Sequence, residues 1–166
     1  MCGIAGVATG RDAAPVDRRR LRAMAATLAH RGPDDSGLHA GDGAGLVSRR
    51  LAVLDPAHGR QPFSDHSGDV RAVLNGEIYN HRQLRAELTG RGCRFRSACD
   101  AEVVPHLYAA YGPAFVHRLE GMFALAVWDQ RRRRLVLARD RLGVKPLYYA
   151  VQADTLTFGS EIKALL

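Results

Sequence analysis

A cysteine sits directly behind the initiator methionine in MCGIAGV, the first stretch of this sequence able to do covalent chemistry. A penultimate side chain this small ordinarily lets the methionine be removed, which would leave Cys2 with both a free α-amine and a thiol. Both kinds of group titrate within reach of neutral pH, so a single residue would supply a base and a nucleophile. Asn75 and Gly76 form a second candidate pair. The asparagine offers a side-chain amide donor and the glycine a backbone conformation closed to other residues, together an oxyanion hole. Arg50 opens RLAVLD and carries the fork that grips a carboxylate, and Asp100 is suited to capping a helix or to accepting from a ligand ammonium. Each residue also has an ordinary structural role open to it: a small apolar strand residue, a turn, a surface ion pair, a cap.

The elements that must position these residues follow from periodicity. GIAGVAT predicts a buried strand, and Leu21, Met24, Ala25 and Leu28 recur at helical spacing behind Asp17 as N-cap. HRGPDDSG at 30–37 predicts a loop, GLVSRRLAVLD short strands, and GRQPFSDHSGD a second polar loop. VRAVL predicts a strand up to Leu74, which leaves NGE between that strand and the next helix. That helix starts at a capping-box variant, Asn80 with Gln83, carries Leu84 and Leu88, and stops at Gly90. DAEVVPHLYAAYG predicts a further helix ending at Gly112, with Pro105 forcing a kink or a late start. MFALAVWDQRRRRLVLARD predicts a β-hairpin with a solvated arginine tip, and PLYYAVQADTLTFGSEIKALL another hairpin followed by the start of a helix. Strands, helices and then hairpins, joined by connections too short for parallel crossovers, predict antiparallel sheets with helices packed on them.

Composition bounds the rest. A chain of 166 residues suits one domain that buries about 70% of its unfolded surface. Cys2, Cys93 and Cys99 make an odd set without paired spacing, so neither a disulfide framework nor a structural zinc site is indicated, Cys93 and Cys99 are expected to be structural, and a reduced, cytoplasmic compartment fits. No apolar run approaches the length of a membrane span, and no secretory signal is visible. The net charge of +7 comes with 22 arginines among 24 basic residues, scattered along the chain and without interleaved aromatics, which argues against specific nucleic-acid recognition.

Taken together, MCGIAGV, HRGPDDSG, RRLAVLD, LNGEIYNH, CDAEV, LEGMFALAVWD, ARDRLGVKPLYY and FGSEIKAL resemble, in order and approximate spacing, the glutaminase domain of glutamine-dependent asparagine synthetases. The resemblance covers nearly the whole chain and implies a type 2 glutamine amidotransferase domain over 1–166. The implied fold is α+β, a four-layer αββα sandwich with two mainly antiparallel sheets, of the N-terminal-nucleophile hydrolase type. The RGPD loop and the NGEIYNH string favour this type over glucosamine-6-phosphate synthase and amidophosphoribosyltransferase, and Cys2 argues against the β-lactam synthetases. By matching positions, the resemblance implies Cys2, Asn75 and Gly76 as catalytic residues. It implies Arg50 on the α-carboxylate of L-glutamine, Asp100 and Glu77 on its α-ammonium, and the backbone of Leu51, Ala52, Val53 and Leu54 along the pocket.

The implied half-reaction needs no metal or cofactor; ATP and Mg2+ belong to a synthetase domain or subunit expected outside these residues. The resemblance also implies closing strands beyond GSEIKAL, without which a sheet edge would stand uncovered. The sequence departs from the family at Cys99, where serine is usual, and at Pro105. Three other readings remain: a catalytically idle docking module for a synthetase subunit, an amidotransferase serving a different amide-forming synthetase, and a basic nucleic-acid binder.

Overall fold

Alternating apolar residues build two antiparallel sheets that face one another. The computed structural model describes residues 2–11 and 13–166. Met1, whose removal the chemistry expected of Cys2 would require, lies outside the described residues. Strands β1 (Gly3–Thr9), β2 (Asp35–Ala40), β3 (Ala44–Arg50), β8 (Tyr148–Gln152) and β9 (Thr155–Gly159) form one sheet in the order β2-β3-β1-β9-β8. Strands β4 (Phe63–Ser64), β5 (Val70–Ile78), β6 (Gly121–Asp129) and β7 (Arg134–Arg139) form the other in chain order. Helix α1 (Arg18–Thr27) covers the first sheet, and α2 (His81–Gly90) and α3 (Val103–Tyr111) lie on the side of the second. Among the described residues no helix is long and apolar enough to cross a membrane.

The period of two along each strand divides the core into three slabs. Ile4, Ala44, Leu46 and Phe158 of the first sheet meet Val73, Ala124, Ala126 and Trp128 of the second between the sheets. Ala5, Val7 and Val47 on the opposite face pack under Leu21, Met24 and Leu28. Ala72, Leu74, Phe123, Leu125 and Val127 pack under α2 and α3 through Leu84, Leu88, Val104 and Leu107. The four-layer αββα sandwich therefore follows from which face of each strand is apolar.

Several local expectations hold. Asp17 caps α1, its carboxylate accepting from the Arg19 N–H at 2.8 Å. The late start at Pro105 is observed: a 3-10 turn over Asp100–Glu102 precedes α3, so the missing N–H falls in the first helical turn where it costs nothing. Gly112 stops that helix at φ 60°. Both predicted hairpins form, and β8 is an edge strand with all five residues exposed.

Other expectations require correction. β5 does not stop at Leu74 but runs through Asn75-Gly76-Glu77 to Ile78, because β6 stays paired with it throughout. β3 ends at Arg50, so 51–54 is irregular chain and not strand. The predicted loops each give up a strand, β2 beginning at Asp35 and β4 covering Phe63–Ser64. Asn80 makes no capping bond; its amide instead bridges the Arg118 carbonyl and the Glu120 N–H, a tertiary partner outcompeting the local one. The arginine tip is solvated as expected, with Arg131, Arg132 and Arg134 exposed, and it adds contacts the sequence did not show: Arg131 pairs with Asp69, Arg132 with Asp129, and the half-buried Arg133 reaches the Gly10 carbonyl. The C-terminal helix is a single 3-10 turn, Ile162–Ala164.

Phe158 is fully buried between the sheets, against Gly6, where an added Cβ would approach its ring to 2.6 Å. Phe158→Ala is expected to cost about 3–5 kcal/mol of stability, read as a lowered urea midpoint at unchanged slope.

Candidate active site

Strand register delivers the sequence-predicted residues to one end of the sandwich. Ile4 pairs with Ser48 and Gly3 with Arg49, so one step further places Cys2 level with Arg50. Alternation puts Cys2 on the face of Ile4, Arg50 on that of Leu46, and Asn75 on that of Val73, all inward residues of the two sheets. They line a cavity of about 170 Å³ together with Leu51, Val53, Leu54, Glu77 and Asp100. Ala52 does not line it, because its N–H is turned to the Asp34 carboxylate at 2.9 Å. Arg50, Glu77, Asp100 and Lys145 give the lining both signs of charge, matching a zwitterionic ligand.

Asn75 is completely buried, yet neither its Oδ1 nor its Nδ2 has a hydrogen-bond partner among the described residues. A buried amide left this way costs roughly 1–3 kcal/mol, and at a cavity wall its donor and acceptor are open to a ligand. The backbone beside it also lines the cavity. Leu74 donates its N–H to the Gln61 side chain at 2.6 Å and Ile78 donates to Asp100 Oδ2 at 2.7 Å, both on the edge of β5 away from β6. Alternation aims the N–H midway between them, that of Gly76, at the same edge. Glycine is required there: φ is 139°, and a Cβ would stand 2.0 Å from the Met122 carbonyl oxygen.

Arg50 is 4% exposed and donates to the carbonyls of Leu54, Asp55 and Pro56, so it folds the irregular 51–56 segment around its own guanidinium at the cavity. Asp55 fastens that segment to the opposite wall by accepting from the Ala98 N–H at 2.7 Å. This bond is the main cause that holds the Asp55 carboxyl below its ordinary range. Asp100 begins the 3-10 turn and accepts from Ile78 and from its neighbour Ala101. The departure at Cys99 is accommodated within this arrangement, its thiol lying 3.6 Å from Asp100 Oδ1. Burial, reinforced by the Asp100 charge, pushes the Cys99 thiol up to about 12, which keeps it protonated although it lines the cavity with Cys2.

The Cys2 thiol lies 3.8 Å from the Leu51 carbonyl oxygen, and the Cys2 carbonyl accepts from Arg31 Nε at 2.9 Å. Arg31 was not among the residues singled out by sequence, although HRGPDDSG was; Gly32 is the reason this loop can approach, since a Cβ there would stand 2.3 Å from the Arg49 backbone. Gln61 and Lys145 were also missed. Gln61 replaces a strand partner for Leu74, both donating to its carbonyl and accepting from its N–H. Lys145 is buried at the cavity by a loop wound around Asp140, which accepts the N–H groups of Leu142, Val144 and Lys145.

This arrangement agrees with what the chain is similar to. The profile of the family described as "Glutamine amidotransferase domain" matches residues 1–166. The chain is 41% identical over 169 residues to asparagine synthetase [glutamine-hydrolyzing] 2 of Bacillus subtilis, covering 99% of this chain and 22% of that protein. It is 42% identical to asparagine synthetase [glutamine-hydrolyzing] 2 of Oryza sativa subsp. japonica, covering 99% of this chain and 28% of the relative. It thus spans roughly a quarter of the length of these relatives. Among solved structures, the glutamine phosphoribosylpyrophosphate amidotransferase of B. subtilis superimposes with a TM-score of 0.75 at 20% identity, over 99% of this chain and 43% of that one, which shows a common fold. A cysteine, a buried unpaired amide and a glycine N–H converging on one cavity are thus found on a chain that belongs to the glutamine amidotransferase domain family.

Proposed function

We propose that the cavity hydrolyses the side-chain amide of L-glutamine, and that the ammonia serves asparagine formation in a synthetase domain or subunit. The observation that carries the first part is the buried, unpartnered Asn75 amide on the cavity wall shared with Cys2. The names of the relatives support the second. In this reading the Cys2 thiol attacks the amide carbon while the α-amine of Cys2, freed by loss of Met1, takes the thiol proton. Negative charge builds on the amide oxygen, where Asn75 Nδ2 and the Gly76 N–H stabilise it without reorganising. The C–N bond then breaks, the amine returns the proton to the departing nitrogen, and ammonia leaves a γ-glutamyl thioester. Water, activated by the same amine, cleaves the thioester to glutamate and regenerates the thiol.

The charged lining orients the substrate. Arg50 would face the α-carboxylate with its guanidinium already fixed by three carbonyls, and Asp100 and Glu77 would face the α-ammonium. Apart from the water that cleaves the thioester, these steps use only the chain's own groups. ATP and Mg2+ enter only in activating the acceptor, which falls to the synthetase partner.

Cys2→Ala is expected to abolish glutamate release with the fold intact, whereas Cys93→Ala leaves the rate unchanged; equal losses from both would misplace the nucleophile. Asn75→Ala is expected to lower kcat about 10²–10³-fold, the usual effect of losing one oxyanion donor. Intact mass of the active protein should lack the methionine; full activity with Met1 retained would sink the amine's role as base. Incubated with glutamine, aspartate, ATP and Mg2+, the chain alone should yield glutamate and no asparagine, and asparagine only when a synthetase domain is added.

A further inference from the structure

Cys2 stands outside the ladder that fixes the rest of β1. Pairing with β3 begins at Gly3 and pairing with β9 at Ala5, so no strand partner holds the nucleophile itself. What holds its backbone is a side chain: Arg31 Nε donates to the Cys2 carbonyl at 2.9 Å. The stem of Arg31 lies over Gly3, where a Cβ would meet its Cδ at 3.3 Å. The other end of the same guanidinium, Nη1, donates to Glu161 Oε1 at 2.9 Å. A guanidinium is a rigid plane, so seating Nη1 on a carboxylate sets the direction in which Nε points.

Glu161 is itself well fixed. His30 Nε2 shares its Oε1 at 2.9 Å and Lys163 meets Oε2 at 3.1 Å. Burial would raise its carboxyl, but the hydrogen bonds from Arg31, His30 and Lys163 prevail and hold it at about 2. The preceding residue belongs to the same strap: Ser160 Oγ accepts the Ile4 N–H at 3.0 Å and the Ser160 N–H donates to the Ile4 carbonyl at 2.8 Å. Residues 160–161 therefore grip the start of the chain at two places, Ile4 directly and Cys2 through Arg31.

From this geometry we infer that Glu161 is a positioning residue for the N-terminal nucleophile, acting through Arg31; the inference rests on the glutaminase reading proposed above. Without the carboxylate, Arg31 can swing and the Cys2 carbonyl loses its anchor, leaving a chain terminus free to move relative to Asn75 and Gly76. Groups proposed to bind substrate sit on other elements, β3, β5 and the turn at Asp100, and stay in place. The loss should therefore fall on kcat and not on KM. A misplacement of the reacting group of about 1 Å can cost as much as 10²-fold.

The test compares glutamate release by the wild-type chain with that of Glu161→Ala, Glu161→Gln, Arg31→Lys and Lys163→Ala, with Tm recorded for each. Glu161→Ala should lower kcat about 10- to 100-fold at a KM near wild type. Glu161→Gln keeps an acceptor for Arg31 and should recover most of the rate. Arg31→Lys cannot span both the carboxylate and the carbonyl with one ammonium and should resemble Glu161→Ala. Lys163→Ala, which touches Glu161 but not Arg31 or Cys2, should match wild type. Wild-type kcat in Glu161→Ala or in Arg31→Lys overturns the proposal, as does a loss that follows Tm and is not relieved by glutamine. If Glu161→Ala does not fold, the kcat values of Glu161→Gln and Arg31→Lys decide the matter in the same way. A wild-type chain that releases no glutamate would instead overturn the glutaminase reading itself.

Discussion

β1 is hydrogen-bonded on both edges, to β3 and to β9, and the working parts of the molecule depend on that double pairing. A chain terminus is ordinarily the least ordered part of a domain. Here the terminal strand is the centre of a five-stranded sheet, and Ile4, Ala5 and Val7 are almost wholly buried on its two faces. The pairing with β3 sets Cys2 level with Arg50. The stacking of the two sheets through Ile4, Leu46, Phe158, Val73 and Ala124 brings Asn75 to the same end. Small residues fit the packing around that sheet, since a Cβ at Gly6 would collide with Phe158 of the neighbouring β9 and one at Gly45 with Leu21 of α1.

That end of the sandwich is built against its own stability. Asn75 is buried without partners, Gly76 holds a positive φ, and Arg50 and Asp100 are buried charges. Each is unfavourable alone, and each is made tolerable by neighbours that are not themselves reactive. Three carbonyls take the guanidinium, two N–H groups take the Asp100 carboxylate, and nine residue pairs of β5 and β6 hold the Asn75-Gly76 backbone in place. The cost is met in advance by folding, which under the proposed glutaminase reading is the condition for stabilising charge in a transition state without rearrangement.

The sequence displayed whatever depends on near neighbours. A small apolar run marked β1, apolar alternation marked β6 and β7, the Leu21/Met24/Ala25/Leu28 spacing and the Asp17 cap marked α1, and Pro105 marked the delayed start of α3. The site residues were legible as a set of types in a familiar order, and all but Ala52 line the cavity. What stayed hidden depends on contacts far apart along the chain. Arg31 and Glu161 meet across 130 positions, and the Asn80 amide abandons its local cap for the backbone at 118 and 120. NGE read as a connection between a strand ending at Leu74 and the next helix, with Gly76 allowing a special backbone conformation; only the unbroken pairing with β6 shows that the strand continues through it.

The position of the cavity has a further cause in the shortness of β4. β5 is nine residues long, but β4 pairs only with Arg71 and Ala72, so from Leu74 to Ile78 the outer edge of β5 has no strand beside it among the described residues. An open edge of N–H and C=O groups is a hazard that proteins ordinarily cover or blunt. This one is covered piecemeal: the Gln61 amide satisfies Leu74, Asp100 satisfies Ile78, and the interval between them is the cavity floor. Gln61 can reach only because Gly37 of β2 has no side chain; a Cβ there would stand 1.5 Å from the Gln61 carbonyl oxygen. Extending β4 by a few residues would complete the sheet and fill the place of the Gly76 N–H with a strand carbonyl, removing the donor. The cavity floor is therefore a stretch of unpaired edge kept open by two capping side chains, and under the proposed reading a longer, better-formed sheet at this point would be a less capable one.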